Sequence, residues 1–76
     1  MMTPTMGPAF SIFTFDTSHH ALWAEEVARE RQVPAEVIPA PPESGSKCDL
    51  ALRTLPGEAP GLRQAFVDEG ILFREF

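Results

Sequence analysis

The sequence predicts an α+β domain with the ferredoxin-like element order β-α-β-β-α-β. Runs of β-branched and aromatic residues alternate with segments of helical period, and prolines and glycines separate them. A chain of 76 residues suits one small domain. Right-handed crossovers then give a four-stranded antiparallel sheet of order 4-1-3-2, with both helices on one face. We expect residues 10–76 to form this domain and residues 1–9, which lack periodicity, to be a flexible tail.

The first half of the chain predicts a strand followed by a helix. Phe10–Phe15 is rich in β-branched and aromatic residues, which is typical of a central strand with Phe13 and Phe15 on one face. Ser18 is the predicted N-cap of a helix that runs to about Gln32. The apolar stripe expected to bury this helix consists of Ala21, Ala24, Val27 and Ala28.

The second half predicts the rest of the sheet. Pro34 breaks the first helix, and flanking prolines place the next strand at a sheet edge. The edge strand Ala35–Ile38 is followed by the loop Pro39–Asp49 (hereafter the Cys48 loop), which Ser44, Gly45 and Ser46 are expected to loosen. The remaining predicted segments are the strand Leu50–Arg53, turns over Thr54–Gly61, a helix over about Leu62–Glu69 stopped by Gly70, and the strand Ile71–Phe76.

Composition disfavours several classes of function. Eleven acidic against six basic residues give a net charge of −5 and no basic cluster, which disfavours binding to nucleic acid. No signal-peptide pattern and no apolar run of about 20 residues is present, so we expect a cytoplasmic protein without a membrane partner. Glycine-rich phosphate loops and serine-hydrolase motifs are also absent, and we expect no bound cofactor.

The predicted topology brings two polar segments together. The first two strands run in the same direction, so the loops that follow them leave the same end of the sheet. We therefore expect His19 and His20 to approach Cys48, whose sulfur should be reachable at the sheet rim. The helix N-terminus and Lys47 favour the thiolate, whereas Asp49 opposes it. A neutral imidazole can take the thiol proton.

Other interpretations of these residues stay open. A lone cysteine in a small domain is more often inert core filler, and histidines at a helix start are more often capping or surface residues. His19, His20 and Cys48, with Glu43 or Asp49, have ligand types suited to a metal, but their spacing matches no recognised metal motif. Arg53 either is solvated at a strand end or holds an anion.

Three short motifs resemble those of the Se/S carrier protein-like family, a small bacterial domain. The motifs are Asp16-Thr17-Ser18-His19-His20-Ala21-Leu22 with Ala24-Glu25, then Ile38-Pro39-Ala40-Pro41, and Cys48-Asp49-Leu50-Ala51-Leu52-Arg53. Two positions depart from the family pattern: Pro42 stands in place of an arginine, and Asp49 in place of a glycine. Both changes remove positive potential near the cysteine and work against its thiolate.

The resemblance implies a carrier that holds sulfur or selenium on Cys48, not a turnover enzyme. Its partners would be chalcogen donor and acceptor proteins, such as a cysteine desulfurase. His19 or His20 would influence the thiol proton, and Arg53 would steady a charged intermediate.

The rival interpretation is a protein-interaction module. A sheet with both helices on one face leaves its other face open, where Ile12, Ala51 and Leu72 are the candidate apolar residues. If all three are exposed, we expect a homodimer through that face.

Overall fold

The computed structural model describes residues 10–76, so the prediction of a tail over residues 1–9 lies outside the described residues. The helices and strands are β1 (Ser11–Thr14), α1 (Ser18–Glu30), β2 (Ala35–Pro39), β3 (Leu50–Thr54), α2 (Ala59–Glu69) and β4 (Arg74–Glu75). Short 3₁₀ turns at Pro42–Ser44 and Pro56–Glu58 precede β3 and α2 respectively.

The four strands form one antiparallel sheet of order β2-β3-β1-β4. This is the predicted order 4-1-3-2 viewed from the opposite edge, so the α+β class and the strand order are confirmed. Because β1 and β2 both run antiparallel to β3, they run in the same direction. The loops that follow them therefore leave the same end of the sheet.

The core lies between one face of the sheet and the two helices. Phe13 and Phe15 share this face, as predicted, and both rings pack edge-on against Phe66 of α2. The ring centroids of Phe13 and Phe66 are 5.3 Å apart, a favourable aromatic geometry. The largest fully buried side chains are Phe13, Leu52, Leu62 and Phe66.

Helix α1 differs from the prediction at both ends. Its N-cap is Thr17 and not Ser18, since Thr17 Oγ1 accepts a hydrogen bond from the His20 N–H at 3.1 Å. The helix ends at Glu30, because Gln32 adopts a left-handed conformation with φ 59°. The Val33 N–H then donates to the Ala28 carbonyl at 2.9 Å, which completes a Schellman motif.

The prediction was also wrong in the last third of the chain. Helix α2 begins at Ala59, three residues before the predicted start, because Pro60 is compatible with the first helical turn, whose N–H groups have no helical partner. Strand β4 covers only Arg74–Glu75, because Ile71 turns into the core. The Arg63 guanidinium holds this short strand against α2 through two hydrogen bonds of 2.9 Å to Glu75.

The sheet face opposite the helices is not the apolar surface that was expected. Leu72 is 71% exposed, but Ala51 is fully buried among its neighbours and Ile12 is half-buried. Arg53 pairs with Glu36, which lies directly opposite it in the register of β3 and β2. The three apolar residues are therefore not exposed together. Within residues 10–76, no helix combines the length and apolarity needed to cross a bilayer.

Candidate functional site

The sulfur of Cys48 lies at the N-terminal end of α1, as the strand directions predict. Ser18 is the first residue of α1, and its Oγ is 3.6 Å from Cys48 Sγ, a distance suited to an O–H···S or S–H···O hydrogen bond. The Leu50 N–H also donates to Sγ, at 3.2 Å. The sulfur therefore has two polar neighbours, of which the Leu50 N–H is a hydrogen-bond donor.

Serine side chains hold the Cys48 loop in place. Pro39 belongs to β2, so the loop covers residues 40–49. Ser46 Oγ donates to the Phe15 carbonyl at the end of β1 at 3.2 Å and accepts from the Cys48 N–H at 3.1 Å. Ser44 Oγ accepts from the Ser46 N–H and donates to the Pro41 carbonyl. The loop is thus tied to the sheet and to itself.

Cys48 is a buried free thiol with 5% of its surface exposed. The expectation of a reachable sulfur at the sheet rim is therefore wrong for the closed loop. The reason is the Ser46 bridge, which draws the loop over the end of β1 and places Cys48 in the hydrophobic core cluster. In this arrangement the loop and the core around it shield the sulfur from solvent.

The two histidines lie on the first turn of α1 but do not bond to the sulfur. His20 Nδ1 is 2.9 Å from Thr17 Oγ1, and its ring stacks on Trp23 with centroids 6.3 Å apart. His19 is exposed. In the described part of the chain, the polar partners of Cys48 Sγ are Ser18 and the Leu50 N–H. Proximity of the helix start to Cys48 was predicted correctly, but the direct polar partner is Ser18.

Arg53 lies away from the sulfur. It is three residues along β3 from Leu50, a distance of about 10 Å. Its guanidinium pairs with Glu36 and lies 4.5 Å from the centre of the Phe10 ring. In this arrangement the polar and ring contacts of Arg53 are to Glu36 and Phe10, and Cys48 is not among them.

A family comparison matches almost the whole described chain. The sequence model of the family described as "Putative Se/S carrier protein-like" matches residues 11–76. The chain belongs to this family. Comparison with curated proteins found no match, and comparison with solved structures found none either.

The two residues expected from the sequence to depart from the family motifs, Pro42 and Asp49, both lie in the Cys48 loop. Pro42 begins the 3₁₀ turn, with its ring exposed to solvent. The Asp49 side chain is exposed beside Cys48, while its carbonyl accepts from the Ala40 N–H at 2.8 Å. Asp49 is therefore the nearest negative charge in sequence to the sulfur, and Pro42 stiffens the turn that precedes it.

Residues 10–76 contain no ligand set for the alternative of a metal centre. No group of three histidine, cysteine or acidic side chains there is arranged to hold a metal ion. His20 is engaged by Thr17 and Trp23, and Cys48 is enclosed by Ser18 and Leu50. The metal interpretation of His19, His20 and Cys48 is not supported.

Sequence reasoning missed the two serines that contact the cysteine or its backbone. Ser18 was interpreted as a helix cap, and Ser44–Ser46 as residues that loosen the loop. The alternation Ser44-x-Ser46-x-Cys48 was the available signal, because serine hydroxyls bond to backbone groups two residues away.

Proposed function

We propose that this protein is a carrier of sulfur or selenium that holds the chalcogen on Cys48 and relays it to a partner protein. Family membership over residues 11–76 supports the class of function. The observation that carries the assignment to this residue is that Cys48 Sγ lies within hydrogen-bonding distance of both the Ser18 hydroxyl, at the start of α1, and the Leu50 N–H. Cys48 is the only cysteine in the chain.

Loading by a donor persulfide needs no external oxidant. The Cys48 thiolate attacks the outer sulfur of a donor R–S–SH, the donor S–S bond breaks, and R–S⁻ leaves and takes up a proton. The products are Cys48–S–SH and R–SH. Selenium transfer from R–S–SeH follows the same balance and gives Cys48–S–SeH. Passing the outer atom to an acceptor thiol repeats the exchange in the opposite direction.

Within this proposal the polar groups near the sulfur have separate roles. Ser18 and the Leu50 N–H stabilise the anionic sulfur. His19, exposed on the first turn of α1, is our candidate for accepting the thiol proton once the loop opens, and His20 positions Trp23. Arg53 is assigned to the sheet, because its ion pair with Glu36 holds it away from Cys48.

We further propose a ferredoxin-like fold and a bacterial cytoplasmic setting. The element order β-α-β-β-α-β and the strand order support the fold. A single free thiol that must stay reduced between cycles suits a compartment where glutathione and thioredoxin keep thiols reduced.

Intact mass spectrometry tests the proposal. The protein is incubated with a cysteine desulfurase and L-cysteine, and separately with glutathione persulfide. We expect a product one sulfur atom heavier that dithiothreitol reverses, and no such product from a Cys48→Ser variant. A parent protein that gains no sulfur from either donor over hours would refute the carrier function.

A further inference from the structure

We infer that one exposed face of α1 is the docking surface for the protein that donates the chalcogen, and that this donor presents basic side chains around an apolar contact. The inference rests on the proposed carrier function. The face, hereafter the α1 patch, consists of His19, Leu22, Trp23 and Glu26. These positions follow each other at helical spacing and line one shallow depression of about 440 Å³.

The α1 patch carries apolar surface that the fold itself does not use. Leu22 is 51% exposed and Trp23 is 37% exposed, whereas the buried stripe of α1 lies on the alanines and Val27. Exposed tryptophan and leucine side chains in a common depression are typical of binding surfaces. The same residues would otherwise favour nonspecific association.

Trp23 is held in place before any partner binds. The His20 ring stacks on Trp23 with an interplanar angle of 26°, and Thr17 Oγ1 holds His20 Nδ1 at 2.9 Å. A fixed aromatic side chain loses little conformational entropy on binding, so it contributes more to affinity than a mobile one. Thr17 and His20 thus connect the helix cap to the patch.

The position of the α1 patch relates it to the sulfur. His19, at one end of the patch, is the residue after Ser18, whose hydroxyl contacts Cys48 Sγ. A protein seated on the patch therefore covers the end of the domain at which the Cys48 loop must open.

The charge distribution defines the chemistry of the partner. Each of the five arginines makes an ion pair with a carboxylate in the described residues. Lys47 is then the cation without an ion pair in this part of the chain. The carboxylates left without an arginine include Glu26 in the patch, Glu30 further along α1, and Glu43 and Asp49 in the Cys48 loop. These carboxylates outnumber Lys47, and the resulting excess of negative charge on α1 and the Cys48 loop complements a basic surface.

Burial of the sulfur favours the donor over the acceptor as the occupant. In loading, the partner's outer sulfur must reach Cys48 Sγ itself, which is 5% exposed. In unloading, the acceptor attacks the outer atom of the persulfide, which extends about 2 Å further from Cys48. Loading therefore needs the closer and better aligned approach.

The test compares two sulfur donors on the same variants. The protein donor is a cysteine desulfurase bearing its persulfide, and the small donor is glutathione persulfide, which needs no docking surface. We expect Trp23→Ala to slow loading from the desulfurase about 10- to 30-fold, the loss typical of a truncated hot-spot aromatic. Loading from glutathione persulfide should stay within about twofold of the parent rate, since the Ser18–Cys48 contact is untouched.

Two further variants show whether a slower reaction reflects lost docking and not misfolding, and test the contribution of charge separately. Leu22→Ser removes a more exposed patch residue and should slow the desulfurase reaction in the same direction. Glu26→Lys should also slow it, and raising the salt concentration should weaken that difference. Val67→Ala and Asp68→Lys are the matched controls, because both residues are exposed on α2, outside the patch. Both controls should load at the parent rate.

The possible outcomes separate this inference from the proposed function. If both donors load the parent and the desulfurase loads Trp23→Ala and Leu22→Ser at the parent rate, the docking surface is refuted. The carrier function is then still supported. Loading by glutathione persulfide without loading by the desulfurase also overturns the inference. Absence of loading by either donor refutes the carrier function itself.

Discussion

Replacing Ser46 by alanine should release the loop that buries Cys48. The Ser46 hydroxyl donates to the Phe15 carbonyl and accepts from the Cys48 N–H, at 3.2 and 3.1 Å. Alanine removes both hydrogen bonds and introduces no bulk. The first of the two joins the loop to β1 across 31 residues of sequence, so its loss acts on the closed loop more than on the rest of the fold.

The expected size of the effect follows from the two bonds. Each contributes about 0.5–1.5 kcal/mol net, so the closed loop loses about 1–3 kcal/mol relative to the open one. The opening equilibrium then rises by a factor of about 5 to 150. Since Cys48 is 5% exposed in the closed loop, its alkylation rate should rise by the same factor.

The assay is the rate of iodoacetamide labelling of Cys48 at fixed pH, followed by intact mass. Ser11→Ala is the matched control, because Ser11 lies in β1 opposite Thr54, at the other end of the strand. Low urea concentrations should leave the labelling rate nearly unchanged if the loop opens locally, and should raise it steeply if the domain unfolds globally. A Ser46→Ala protein that labels at the parent rate would refute the view that Ser46 holds the loop closed.

Three other predictions concern charge, pH and the core. Asp49→Asn, which removes the carboxylate beside Cys48, should speed alkylation about two- to fivefold, whereas Glu58→Gln on the α2 side should not. The hydrogen bonds from Arg63 lower the pKa of Glu75 below its ordinary value of 4.5. The Arg63–Glu75 pair therefore stabilises the fold above pH 4.5, and this stabilisation is lost as the pH falls through the lowered pKa. The melting temperature of Glu75→Gln should accordingly be lower than that of the parent at pH 7, and the two should converge in acid. Phe66→Ala, which leaves a cavity between α2 and the sheet, should cost about 3–5 kcal/mol in a urea titration, and a cost below about 1 kcal/mol would contradict the described core.

The sheet could be predicted from sequence because its signals are local. The run of β-branched and aromatic residues identifies β1 and places Phe13 and Phe15 on one face, which proves to be the face covered by the helices. Because β1 and β2 run in the same direction, the end of β1 and the Cys48 loop lie at the same end of the sheet. This could be predicted without knowing the contacts between them. Topology alone was sufficient to bring the start of α1 to Cys48.

The helix boundaries were harder to predict from sequence, because helical and turn conformations differ little in energy at the residues that end a helix. Gln32 adopts the left-handed conformation that glycine usually provides, so the sequence lacked the usual mark of the last helical residue and Pro34 set only an outer limit for α1. Pro60 suggested a turn but is also compatible with the first turn of a helix.

The burial of Cys48 could not be predicted for a different reason. It depends on the Ser46–Phe15 hydrogen bond, which joins residues 31 positions apart and exists only in the folded chain. Composition indicated a mobile loop, because serine and glycine are typical of flexible segments. The same serines stiffen the loop when acceptors lie within reach, as Ser44 and Ser46 show.

Under the proposed function, a buried thiol is compatible with a carrier because one loop motion would control both gain and loss of the chalcogen. A persulfide on Cys48 would be open to attack by small thiols whenever the loop opened, and the closed loop, in which Cys48 is 5% exposed, would exclude them. If opening precedes both reactions, any change that favours opening speeds loading and loss together. We therefore expect Ser46→Ala to lose sulfur to dithiothreitol faster by the same factor that it gains sulfur from glutathione persulfide. If the two rates rise by different factors, the loop of the sulfur-loaded protein is not held closed by the Ser46 hydrogen bonds that hold the unloaded one.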